Sequence, residues 1–109
     1  MKVLRANKTI DGYSTIKIET NKIYLKGKIL DYEFNKLTES IARAGLIYPI
    51  IIMKKEKMYE CVTGNQRLKY ALDNQFDLID CIIINNISER KNILTTTYIS
   101  PTNYENFES

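Results

Sequence analysis

The sequence predicts one compact α/β domain, in the α+β sense of a small mixed sheet with about three helices. Three observations predict it. The chain has 109 residues, enough for one domain with little room for a second. Apolar residues make up 44% of it, so a single core can form without covalent staples. Short stretches of two-residue alternation are interleaved with stretches of helical period.

The elements follow in order. Residues 1–12 show no periodicity and read as a flexible basic arm closing at Asp11-Gly12. The domain proper is expected over 13–100, with a polar tail over 101–109. Ile16 and Ile18 alternate with Thr15, Lys17 and Glu19, the pattern of a half-buried strand. Thr20-Asn21 can turn the chain. Ile23 and Leu25 then alternate with Lys22, Tyr24 and Lys26, so the two segments read as a hairpin. Asp31 can cap a helix, because its carboxylate accepts an orphan backbone N–H. Phe34, Leu37, Ile41 and Ala44 recur at helical spacing, and Gly45 is placed to end that helix. Pro49 to Met53 is almost wholly apolar and reads as a strand buried on both faces. Lys54 to Lys57 is a charged turn, and Met58 to Val62 is the next strand. A second helix runs from about Asn65 to about Asn74, with Leu68, Ala71 and Leu72 inward. Leu78 to Ile84 is another strand. Ser88 can cap a third helix, anchored by Ile93, Leu94 and Tyr98 and ended by Pro101. Tyr104 and Phe107 stand isolated in the tail.

Composition narrows the function classes. There is no histidine, which excludes His-based triads and His metal sites. Cys61 and Cys81 sit in apolar strand-like runs without a CxxC pattern, so they read as buried free thiols of a reducing cytosol, not as a zinc site or a disulfide framework. The N-terminus has no apolar signal-peptide core, and the run Leu46–Met53 is far shorter than the roughly 18 residues of a membrane helix. A soluble cytoplasmic protein is expected, of a prokaryote or of a virus in its host. Net charge is +3, but residues 1–30 carry seven basic groups against two acidic ones. That bias suits phosphate backbones, or equally a solvated hairpin with lysine-protected edges.

One local pattern carries chemistry. Thr63-Gly64-Asn65-Gln66-Arg67 follows an apolar strand and opens an amphipathic helix. A helix start presents backbone N–H groups without intrahelical acceptors, and the peptide dipoles add positive potential there. Glycine allows close backbone approach and positive φ. Arg67, one turn in, can fold its guanidinium fork over two phosphate oxygens, and Asn65 and Gln66 add donors. Together they form a nest for a phosphate. The same residues also suit a plainer arrangement, in which Gly64 makes a tight turn, Asn65 caps the helix and Arg67 lies on the surface. The pattern is neither a GxGxxG fingerprint nor a Walker A loop.

A longer pattern surrounds it. Leu37-Thr38-Glu39-Ser40-Ile41, Ala44-Gly45-Leu46-Ile47-Tyr48-Pro49-Ile50-Ile51-Ile52 and Tyr59-Glu60-Cys61-Val62-Thr63-Gly64-Asn65-Gln66-Arg67-Leu68-Lys69-Tyr70-Ala71 come in this order. The series resembles the N-terminal domain of the ParB/sulfiredoxin superfamily, with its "L..SI...G" helix, "PI.V" strand and "GERR..A" or "GCHR" turn, over roughly residues 15–90. The resemblance implies a compact fold whose turn grips nucleotide phosphates: CTP with Mg2+ in ParB proteins, ATP in sulfiredoxins, ADP in a serine-phosphorylating enzyme. By position, Thr63, Gly64, Asn65, Gln66 and Arg67 would contact phosphate. Gly45, Tyr48 and Pro49 would line the base or ribose side, and among the tyrosines only Tyr48 takes a functional role. Expected partners are a nucleotide or DNA, with no membrane and with homodimerisation open. Asn65 stands where sulfiredoxins carry their nucleophilic Cys and ParB proteins an acid, which excludes peroxiredoxin repair. The third ParB box, an "EN..R" helix, has no counterpart in Leu94–Ser100.

Three functions remain: a phosphate-binding module in DNA metabolism, a metal-dependent nuclease or phosphotransferase, and an interaction protein built on the same fold. A nuclease needs carboxylates converging on a metal. Glu33 and Glu60 are the catalytic candidates, with Asp31 and Glu39 behind them. Each also has a plain place, Asp31 and Glu33 at a helix start, Glu39 on a solvated helix face and Glu60 outward on a strand. No metal site is expected from the residues themselves.

Overall fold

In the computed structural model, residues 1–26, 31–44 and 48–97 are described, with the backbone alone at 31–34, 37, 44 and 95–97. The order is β1 (Val3–Leu4), β2 (Ile16–Glu19), a 3-10 turn (Thr20–Lys22), β3 (Ile23–Tyr24), α1 (Asp31–Ala44), β4 (Ile50–Lys55), β5 (Met58–Thr63), α2 (Asn65–Asp73), β6 (Leu78–Ile84) and α3 (Ser88–Thr97). The strands join in one mixed sheet. β6 is its hub. It pairs with β1 in parallel (Val3 opposite Leu78), with β2 antiparallel (Ile16 opposite Cys81) and with β4 in parallel (Ile50 opposite Cys81). β4 runs antiparallel to β5, and β5 parallel to β3 (Ile23 opposite Tyr59).

Two-residue periodicity sorts the core onto the two faces of the sheet. Ile50, Ile52, Cys61, Ile79 and Cys81 pack with Leu68 and Ala71 of α2 and Ile41 of α1. Ile51, Val62, Ile82 and Ile84 pack on the other face with Ile93 of α3 and with Ile10. The central strands therefore read as continuous apolar runs, since both of their faces are covered.

The expected hairpin between β2 and β3 does not form. β2 pairs with β6 and β3 with β5, so the chain crosses between two different partner strands. Thr20 explains the crossing. It is 5% exposed, its Oγ1 donates to the Phe76 carbonyl at 2.8 Å, and its N–H donates to the Asp77 carbonyl at 3.0 Å. These bonds pin the 3-10 turn against the α2–β6 connection, where a hairpin turn would have to be free.

Part of the first twelve residues, expected as a free arm, is built into the domain. Val3 and Leu4 form β1, and Leu4 and Ile10 are 6% and 5% exposed. Lys2 N–H donates to Asp77 Oδ2 at 2.9 Å and Ala6 N–H to Asp80 Oδ2 at 2.8 Å. Two aperiodic apolar anchors hold this segment, which is why periodicity misses it. The tail from residue 101, and Tyr98 before it, lie outside the described residues.

α2 ends without glycine. Gln75 takes φ 59°, its N–H donates to Leu72 O at 3.2 Å, and Phe76 N–H donates to Ala71 O at 2.9 Å. This is a left-handed C-terminal cap, and the Phe76 ring lies 6.0 Å from that of Tyr70, closing its hydrophobic contact. Leu72, expected inward, is 38% exposed. It sits past the helix stripe that Leu68 and Ala71 bury.

Candidate functional site

The site is built where β5 turns into α2. A register shift between Ile51 and Ile52 gives β5 one extra residue before Thr63, a bulge that re-aims the strand end. Gly64 caps the helix at φ 106°, in the left-handed region. A side chain there is excluded twice over. A Cβ would lie 2.6 Å from Ile50 Cγ2 and 2.9 Å from an Arg67 guanidinium nitrogen. The first bond of the helix runs from Leu68 N–H to Gly64 O at 2.9 Å, so the N–H groups of Asn65, Gln66 and Arg67 precede the helical ladder.

The side chains of the turn face inward. Thr63, Asn65, Gln66 and Arg67 are 1%, 5%, 7% and 2% exposed. Two plain expectations are thereby corrected. Arg67 is not a surface arginine, because its NH1 donates to the Tyr48 carbonyl at 2.7 Å. Asn65 is not the cap, because Gly64 is. Asn65 Oδ1 instead accepts the Lys26 N–H at 2.7 Å, tying the chain beyond β3 to the turn.

Two contacts were not anticipated. Arg90 of α3 donates its Nε to Thr63 Oγ1 at 2.6 Å, and Lys8 Nζ lies 5.9 Å from the centre of the Tyr48 ring. Lys26, Tyr48 and Arg90 thus bond the 63–67 turn directly, and Lys8 lies beside the Tyr48 ring. Lys8, Lys26 and Arg90 carry no local sequence signal for this, since their partners are remote in the chain. Only the excess of basic groups in residues 1–30 hints at the first two.

The other expected residues are placed as follows. Pro49 is buried beside Tyr48, which is partly exposed. Gly45 lies outside the described residues, as does the side chain of Glu33. Glu60 was expected to point freely into solvent. It is half-buried, with Oε1 3.2 Å from Lys26 Nζ and Oε2 3.2 Å from Lys55 Nζ. The Lys26 hydrogen bond, then that of Lys55, holds its carboxyl below the usual range. With both oxygens on ammonium groups, Glu60 does not fit the part of a Mg2+ ligand. Among the described residues, no group of three Asp, Glu, Cys or His side chains is arranged to hold a metal. Cys61 and Cys81 are buried and not joined in a disulfide, and burial pushes the Cys81 thiol up, with Cys61 and Asp80 adding to the effect. Among the described residues no helix is long and apolar enough to cross a membrane.

Comparison with known proteins agrees with this architecture. The family model described as the ParB N-terminal domain matches residues 3–99. No curated protein matches. Among solved structures, sulfiredoxin from Arabidopsis thaliana is similar at 19% identity and a TM-score of 0.57, over 72% of this chain and 93% of that one. A free serine kinase in complex with ADP is similar at 21% identity and a TM-score of 0.65, over 81% of this chain and 38% of the kinase. The C-terminally truncated chromosome-partitioning protein ParB from Caulobacter crescentus, complexed with CTP-gamma-S, is similar at 13% identity and a TM-score of 0.62, over 83% of this chain and 56% of that one. At these identities the likeness is one of fold. The chain spans well under half of the kinase and little more than half of the partitioning protein.

Proposed function

The chain belongs to the ParB N-terminal domain family, and from that premise we propose that it binds a phosphoryl ligand at Thr63–Arg67 and acts in DNA metabolism. The ligand is a nucleoside di- or triphosphate or a nucleic-acid phosphate. The observation that carries this reading is the turn itself. A left-handed Gly64 too crowded for any side chain opens a helix whose first three N–H groups precede the ladder. Beside them lies an arginine buried to 2% exposure. Fixed N–H donors, a helix dipole and a guanidinium at one point favour an anion.

The solved relatives of this fold hold ADP and CTP-gamma-S, which supports a nucleotide as the first ligand to try. Binding without turnover is the favoured form. Asn65 stands at the position of the sulfiredoxin nucleophile, and the Glu60 carboxylate is engaged by two lysines. Any Mg2+ brought with a nucleotide would have to be held by its phosphates, since the Glu60 carboxylate is engaged by Lys26 and Lys55.

Calorimetry tests the reading with CTP, ATP, ADP and short DNA, each with and without Mg2+. Wild type should take up at least one of them, and Arg67→Lys should weaken that uptake by about tenfold while the melting profile shows a folded protein. Absence of heat from wild type across the panel overturns the proposal. Mg2+-dependent cleavage of DNA by wild type, lost in Glu60→Gln, would replace it with the nuclease reading.

A further inference from the structure

We propose that the groove between β3 and the β4–β5 turn is a second binding site, for single-stranded nucleic acid, in which Tyr24 stacks on a base and Lys26, Lys55 and Lys57 hold backbone phosphates. The inference stands apart from the reading of the Thr63–Arg67 turn.

Strand register builds the groove. Tyr24 lies opposite Glu60, Glu60 opposite Met53 and Lys55 opposite Met58, so these side chains share one face of the sheet. It is the face on which Ile93 of α3 packs with Ile51, Val62, Ile82 and Ile84. That cover does not extend to the β4–β5 turn. There a groove of about 590 Å3 opens, and among the described residues none of its lining comes from a helix. Tyr24, in the edge strand of the sheet, is 53% exposed, and Leu25 after it is 41% exposed. With the half-buried Met58 they give the groove an apolar floor.

The walls are cationic. Lys26, Lys55 and Lys57 enter from the chain after β3, the end of β4 and the β4–β5 turn. Glu60 orients two of them, with Oε1 3.2 Å from Lys26 Nζ and Oε2 3.2 Å from Lys55 Nζ. An ammonium has three donor hydrogens, so each lysine keeps donors beyond the one that Glu60 takes. Lys26 is also anchored through its main chain, whose N–H donates to Asn65 Oδ1 at 2.7 Å. Lys57 lies against no carboxylate among the described residues. Glu56, the other acid of the lining, sits at the turn itself with φ 58°. Ammonium groups around an exposed ring fit a polymer that alternates phosphate with a flat base. A duplex hides the faces of its bases, so a stacking ring selects a single strand. An acidic peptide would use the lysines and leave the ring idle.

The test is fluorescence anisotropy of a labelled oligothymidylate of about 15 nucleotides, titrated with wild type, Tyr24→Leu, Tyr24→Phe and Lys57→Gln. Tyr24 and Lys57 are exposed, so these variants keep the fold. Wild type should bind the strand. Tyr24→Leu should lose about five- to tenfold of affinity, while Tyr24→Phe, which keeps the ring, loses little. Lys57→Gln should lose about two- to threefold and lower the salt dependence by about one phosphate contact. No binding by wild type, or binding by Tyr24→Leu equal to that of wild type, overturns the proposal. Displacement of the strand by ADP or CTP assigns it to the Thr63–Arg67 turn, and overturns the groove while leaving the turn standing. Equally tight binding of a polyglutamate peptide, insensitive to Tyr24→Leu, overturns it in favour of a protein partner.

Discussion

Arg67 hydrogen-bonds the main-chain carbonyl of Tyr48 at 2.7 Å from a side chain only 2% exposed. A guanidinium stays ionised under all ordinary conditions, so its burial demands good acceptors. The bond also ties the start of β4 to the first turn of α2, the two segments that border the candidate ligand site. Arg67→Ala is expected to remove packing as well as charge and to leave the Tyr48 carbonyl without this donor. The expected loss is about 2–4 kcal/mol of stability, read as a lower urea midpoint. An unchanged midpoint would mean that Arg67 is held in place for ligand alone.

Gly64→Ala carries a different penalty. The new methyl meets the Ile50 side chain at 2.6 Å, a core contact that cannot give way cheaply, and its φ of 106° is strained for any L residue. A loss of about 2–4 kcal/mol is expected by thermal or chemical denaturation. Ile50→Val in the same chain should not recover it, because valine keeps the Cγ2 and Cβ atoms that make the clash.

Gln75→Gly should act in the opposite sense. Gln75 holds φ 59° at the C-terminal cap of α2, where glycine adopts the same conformation without the Cβ cost. Stability should rise by about 0.5–1 kcal/mol, the left-handed strain relieved less the extra chain entropy of glycine. A fall in the urea midpoint would show that the Gln75 side chain contributes more than its backbone strain.

Glu60 predicts a pH dependence. Lys26 and then Lys55 lower its folded pKa, so the folded state holds this proton less tightly than the unfolded chain does. Its stabilising contribution is complete above the ordinary carboxylate range and disappears as pH falls through the lowered value. Both lysines are largely exposed, with side chains 65% and 64% accessible, so solvent screens the effect. Glu60→Gln should cost about 0–1 kcal/mol at neutral pH and nothing once wild-type Glu60 is protonated. Parallel acid-unfolding curves for the two proteins would contradict this.

Much of the fold was legible in the sequence because its central elements are locally determined. The Leu78–Ile84 strand begins and ends where its apolar run does, and α2 starts at Asn65 as the turn residues require. What failed was pairing. Ile16, Ile18 and Ile23 alternate correctly for strands, but alternation does not reveal which strand lies alongside, and the Thr20 bonds to Phe76 and Asp77 decide it. In the site, the segment Thr63–Arg67 was visible because its residues are contiguous. Its seating was not, since Tyr48, Lys26 and Arg90 reach it from three other parts of the chain.

The pairing of the first three strands also bears on how the chain acquires its fold during synthesis. β1 and β2 both wait for β6, and β3 waits for β5. None of the three has a strand partner earlier in the sequence, so an N-terminal stretch carrying Leu4, Ile10 and Ile23 emerges from the ribosome long before the residues that cover it. Sheet closure through such distant contacts is slow compared with helix formation. The nascent chain therefore holds its first strands unpaired until the residue 78–84 segment is released. Mutations that delay β6 should show in aggregation during translation before they show in the stability of the finished protein.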